Sequence, residues 1–87
     1  MQIRSHKRVD VMLLKLLAWL NTRFGQDVDI GRLIDLRLTH QDLSELLRAT
    51  RVTITRTLNQ LEQQELIERL PLQRVILREE EIRHYEI

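Results

Sequence analysis

The 87-residue sequence contains no cysteine, so it holds no disulfide framework and no thiolate metal site. A reducing cytoplasm suits such a chain. It has only two glycines and one proline, which points to mostly regular structure joined by short connections. No uninterrupted apolar run approaches the ~20 residues of a bilayer span, so no membrane crossing is expected. The N-terminal stretch MQIRSHKRVDVMLL sets basic residues before apolar ones. That stretch is helical in period, carries Asp10 and Lys15, and lacks a small-residue cleavage site, so it does not read as a signal peptide. His6, His40 and His84 are too scattered for a metal triad. A Gly-rich phosphate loop and a nucleophile elbow are both missing. Neither enzyme chemistry nor a metal or other cofactor is expected.

What is present is a balance of 43% apolar and 31% charged residues, that of a soluble globular chain. The length fits a single domain over residues 1–87. The net charge of +1 hides segregation: residues 1–23 carry a local +4, 24–47 a local −3, 48–78 a local +3 and 79–87 a local −3. Twelve of the fourteen basic residues are Arg, whose planar fork suits phosphates and guanine edges better than the point charge of Lys.

Val9, Met12, Leu13, Leu16, Leu17, Leu20 and Phe24 recur at helical spacing and predict a helix over 7–24, stopped by Gly25 as a left-handed cap. Val11, Leu14 and Ala18 lie off that stripe and read as a second apolar face, left over for a homodimer contact or another protein's helix. Residues 28–38 alternate near period two, with Gly31 giving a turn, and predict short paired strands. Thr39 is placed to cap a helix over 40–47, with Asp42 three residues on. Arg48-Ala49-Thr50 breaks the pattern, and Thr50 is placed to cap the next helix, 51–64. Within that helix Ile54, Leu58 and Leu61 form the inward stripe. Thr55, Asn59, Val52, Gln63 and Arg56 fall about 100–200° away on the helical wheel. Leu66-Ile67 and Val75-Ile76-Leu77 read as strands of a hairpin over 66–77, its Leu70-Pro71-Leu72 tip packing beneath it or, in the alternative, offered as an apolar tip to a partner. Three glutamates then open a short helix over 79–85.

Two helices joined by a three-residue turn, with a hairpin behind them, are a winged helix-turn-helix: mainly α with a small β-hairpin wing. Ser44 falls where the two helices cross closely, and Ile54 where the second locks onto the first. The second helix then enters the major groove of double-stranded DNA. Arg51 and Arg56 suit guanine O6 and N7, Val52 a thymine methyl, and Asn59 adenine or a phosphate; Thr55 shares their face. The hydroxyls of Thr39, Thr50 and Thr53, with Gln73 and Arg74 in the wing, suit phosphates. In a plainer reading Arg51, Arg56 and Arg74 are solvated charges paired with Glu62 or Glu68. A second function class also stands: a winged helix used as a protein-interaction module that modulates a related regulator. It calls for an acidic or apolar outward face, and only Val52 fits. A net charge of +1 is a weak electrostatic footprint for DNA and is the main point in its favour.

The run LTHQDLSELLRATRVTITRTLNQLEQQELIER, with the leading RVDVMLLKLLAWLNTRFG, resembles the DNA-binding domain of the Crp/Fnr family of bacterial transcription regulators over roughly residues 8–78. The TRVTITR form resembles the branch of the cyanobacterial global nitrogen regulators. The resemblance implies that Arg51, Val52 and Arg56 face bases, that Thr39, His40, Gln41, Thr50 and Thr53 lie near phosphates, and that a dimer binds a palindrome, with half-sites of GTA type. It implies a cytoplasmic, nucleoid-associated bacterial protein. About seven residues precede the first helix, so the family's effector-binding domain is not expected in this chain, nor a small-molecule effector. The family has Gly where this chain has Arg48 and Glu65. A non-Gly residue at positive φ costs roughly 1 kcal/mol, so strained or altered turns are expected there, with Arg48 turned to use as a phosphate ligand.

Overall fold

Threonine hydroxyls start both central helices. In the computed structural model, which describes residues 8–82, α2 spans His40–Leu47 and α3 spans Arg51–Gln63. Thr39 Oγ1 accepts the N–H of Asp42 at 2.9 Å, and Thr50 Oγ1 that of Thr53 at 3.1 Å. Each satisfies one of the backbone donors a helix start leaves orphaned. Both helix ends close through a left-handed residue. Arg48 has φ 54° and Glu65 φ 61°, as the family's glycines at these places foretell. Around Glu65 the closure is a full Schellman pair: the Leu66 N–H reaches the Leu61 carbonyl and the Glu65 N–H that of Glu62, each at 3.0 Å. The side chains of Leu61 and Leu66 are both buried beside it.

The preceding helix α1 spans Val9–Phe24, so the expected start at residue 7 lies outside the described residues. Strands β1 (Gly25–Val28) and β2 (Gly31–Ile34) follow, then α2 and α3. The wing comprises β3 (Ile67–Leu70), a 3-10 turn over Pro71–Gln73 and β4 (Arg74–Leu77). A short α4 covers Glu79–Ile82; the expected extension to 85 lies outside the described residues. The two hairpins do not stand apart. They form one antiparallel sheet in the order β1-β2-β4-β3, with Arg32 opposite Leu77 and Ile34 opposite Val75.

Three local expectations are corrected. The strand pattern read over 28–38 belongs to 25–28 and 31–34. Leu36 and Leu38 alternate for a different reason: they pack inward from a loop whose Leu38 N–H donates to the Gln73 carbonyl at 2.9 Å. Gly25 is not a left-handed cap but extended (φ −78°, ψ 145°); a Cβ there would collide with Asn21, which is why the helix can turn straight into β1. Gly31 opens β2 rather than making the turn, and the Leu77 carbonyl of β4 lies where its Cβ would be.

The core joins Leu13, Leu17 and Leu20 of α1 with Ile34, Leu43, Leu47, Ile54, Leu58, Leu61, Ile67, Val75 and Leu77. Ser44 is buried at the crossing of α2 and α3, its hydroxyl donating to the Gln41 carbonyl. Leu14 also belongs to this core, at 2% exposure. This overturns its place in a leftover dimer face with Val11 and Ala18. Helix α1 packs against β1 and β2 as well as α2 and α3, so the domain itself covers more than one of its faces. Val11 is half-buried, and Ala18 alone of the three is exposed, beside Trp19. The wing tip is corrected too: Leu70 is half-buried, but Leu72 stands 71% exposed at φ 64°.

Candidate nucleic-acid interface

The face of α3 opposite Ile54, Leu58 and Leu61 carries Arg51, Val52, Arg56 and Asn59, all exposed, with Thr55 half-buried between them. Together with His40 they line one open depression of about 540 Å³. The structure therefore brings all five expected base-reading residues into one surface. Val52 is 66% exposed, an apolar β-branched side chain set among donors. Among the described residues Arg51 and Arg56 have no acidic partner, so the plainer reading of them as neutralised surface charges does not hold.

Around this face lie the residues expected at phosphates. His40 Nδ1 is 2.8 Å from Thr55 Oγ1, which ties the start of α2 to the middle of α3. Gln41 donates to Glu45 at 2.8 Å on the exposed side of α2. Thr50 donates to Thr53 Oγ1 at 3.0 Å, joining the two hydroxyls at the start of α3. Arg48 is exposed in the turn between the helices. Helix N-termini of this kind present free N–H groups and the positive end of the helix dipole to an anion.

The wing residues are held differently. Gln73 Oε1 accepts from Arg37 Nε at 3.1 Å. Arg74 Nη1 pairs with Asp35 at 3.1 Å, not with Glu62 or Glu68, and its Nε is buried without a partner among the described residues. Both line a second cleft of about 310 Å³ between α3 and the wing, with His40 and Arg69. They are thus separate from the α3 depression, with their polar groups partly engaged inside the domain.

One residue at this interface escaped the sequence reading. Arg69 donates to Asn59 Oδ1 through Nη2 at 2.6 Å and to Glu62 Oε1 through Nη2 at 2.9 Å and Nε at 3.1 Å. Strand alternation was the available signal: buried Ile67 faces the helices, exposed Glu68 faces away, and Arg69 returns to the helix side.

A helix-turn-helix with a capped, donor-rich second helix and an antiparallel wing defines the winged class of DNA-binding domain. The family described as Crp-like helix-turn-helix domain matches residues 8–85, and this chain belongs to it. The regulatory protein CysR of Synechococcus elongatus is 44% identical over 66 residues, 72% of this chain and 32% of that protein. The global nitrogen regulator of Nostoc sp. is 36% identical over 63 residues, 72% of this chain and 28% of its own length. The chain thus spans about a third or less of the curated relatives it matches. Two solved structures share the fold. A mutant of CooA from Carboxydothermus hydrogenoformans superposes with a TM-score of 0.78 at 22% identity, covering 88% of this chain and 36% of CooA. Reduced CprK without ligand superposes at 0.75 and 20% identity, covering 97% of this chain and 40% of CprK.

Proposed function

We propose that the chain binds double-stranded DNA sequence-specifically, as the DNA-contacting domain of a Crp/Fnr-type transcription regulator. The observation that carries this is the exposed face of α3, where Arg51 and Arg56 lack acidic partners among the described residues and flank an exposed Val52. Laid in the major groove, that face sets two guanidinium forks against guanine edges and one apolar side chain against a thymine methyl. Thr55 and Asn59 complete the base-reading set. Thr39, His40, Gln41, Arg48, Thr50 and Thr53 hold the flanking phosphates, and Gln73 and Arg74 approach the backbone from the wing.

A single module of this kind buries about 600–1,000 Å² on DNA, and a net charge of +1 adds little non-specific attraction. Useful affinity therefore calls for two copies on a palindromic site. With Leu14 buried, the part of α1 open to a partner is its Ala18–Trp19 edge. Such a protein works in the bacterial cytoplasm, at the nucleoid, and needs no small molecule bound to the residues of this domain.

Selection of bound sequences from random duplexes at fixed salt tests the reading. Enrichment of one palindromic motif is the expected result. Retention of all duplexes in proportion to length, with no motif, would refute base reading, and retention of none would favour a module that captures proteins.

A further inference from the structure

Asn59 sits on the outward face of α3, one turn beyond Thr55 and Arg56. An asparagine there has two ways to read a base. Its carboxamide can pair with adenine through both edges, Oδ1 accepting from N6 and Nδ2 donating to N7. Alternatively, Nδ2 alone donates to an acceptor on guanine, thymine or phosphate. In this structure the carboxamide is not free to choose. Arg69 reaches across from β3, and its Nη2 lies 2.6 Å from Asn59 Oδ1. Arginine has donors only, so the atom facing it is the oxygen. Glu62, one turn along the same helix, receives the same guanidinium through both Nη2 and Nε and fixes the plane of the fork. Arg69 is about two-thirds covered and Glu62 is partly covered (32% and 42% exposed). The contact is therefore a braced one between wing and helix, not two loose surface side chains.

We propose that Arg69 is a specificity-determining positioning residue: by holding Oδ1 of Asn59 toward the wing, it leaves Nδ2 as the group offered to DNA and suppresses the bidentate adenine pair. This rests on α3 being the helix in the major groove. Arg69 acts through Asn59 and does not touch the base. With its charge matched by Glu62, it is also a poor candidate for a direct phosphate contact.

The test compares the full chain with Arg69→Met, Asn59→Ala and the double variant, each by random-duplex selection and by titration of matched duplexes at several salt concentrations. Arg69→Met should raise the relative preference for adenine at one position by about tenfold, the scale of one bidentate pair. In the Asn59→Ala background the same change should leave base preference unaltered, because the amide it acts through is gone. Glu62→Ala is the second variant, at an exposed helix position where alanine keeps the helix. It removes two of the three bonds bracing Arg69 and should shift preference in the same direction, which keeps the test open if Arg69→Met does not fold. Unchanged base preference in Arg69→Met and in Glu62→Ala overturns the proposal. So does uniform weakening on all duplexes with a shallower salt dependence, which would make Arg69 a phosphate ligand. A parent chain that enriches no motif overturns the DNA reading and this inference together, whereas a parent that enriches a palindrome while the variants read the same bases overturns this inference alone.

Discussion

Replacing Glu65 by glycine should stabilise the domain. Glu65 occupies the left-handed residue that ends α3, at φ 61°. An L-residue with a side chain pays about 1–2 kcal/mol there, because Cβ crowds its own carbonyl. Glycine removes that strain but adds about 0.4–1 kcal/mol of unfolded-state entropy to be lost on folding. The substitution also deletes the Glu65–Arg78 pair. At 3.5 Å, with Glu65 72% exposed, that pair belongs to the class worth about 0–1 kcal/mol, and its long distance puts it at the low end. The strain relieved exceeds the losses, leaving a net gain of about 0.5–1 kcal/mol, or about 2–8 °C in Tm for a domain of this size. Glu65→Ala is the control, since it loses the same ion pair and keeps the strain. Thermal and urea unfolding followed by far-UV circular dichroism should rank glycine above the parent and alanine at or below it. A glycine variant no more stable than the alanine variant would show that Glu65 is not strained and that the turn adapts to its side chain.

Three further outcomes are expected. Leu14→Glu should abolish folding rather than disrupt an assembly, since it places an uncompensated carboxylate where a leucine is 2% exposed; a folded Leu14→Glu protein by circular dichroism would contradict the placement of α1. Arg56→Ala should cost about 1–3 kcal/mol on the best duplex and relax preference at one base pair. Equal weakening on every sequence in fluorescence anisotropy titrations would mean that Arg56 only holds phosphate. Val52→Ala should lose discrimination between thymine and uracil at one position while its melting curve stays close to the parent's; undiminished preference for thymine would show that no methyl contact exists.

How far the sequence reached depended on how local each feature is. The limits of α2 and the start of α3 were legible because Thr39 and Thr50 bond to backbone N–H groups three residues away. Positive φ at Arg48 and Glu65 was legible through a resemblance, since the family's glycines mark backbone that other residues adopt under strain. Burial of Leu14 was not. Periodicity ranks the faces of a helix, but it does not count the elements packed around them, and α1 also meets β1 and β2. Nor was the pairing of β2 with β4, which joins Ile34 to Val75 across the helix-turn-helix. The same distinction sharpens the interface. A count over residues 48–78 spreads a local +3 along the whole segment. In the folded domain, however, Arg69, Arg74 and Arg78 are matched by Glu62, Asp35 and Glu65. Of the six arginines in that segment, Arg51 and Arg56 are the two that α3 presents on its outward face. Among the described residues neither has an acidic partner, and in the proposed reading such charge is what exchanges with DNA counterions. The wing's Arg69 and Arg74 instead give donors to Glu62 on α3 and to Asp35 just after β2. The cations that α3 presents outward are thus set apart from those the wing engages with acids, an arrangement that a linear tally of charge does not contain.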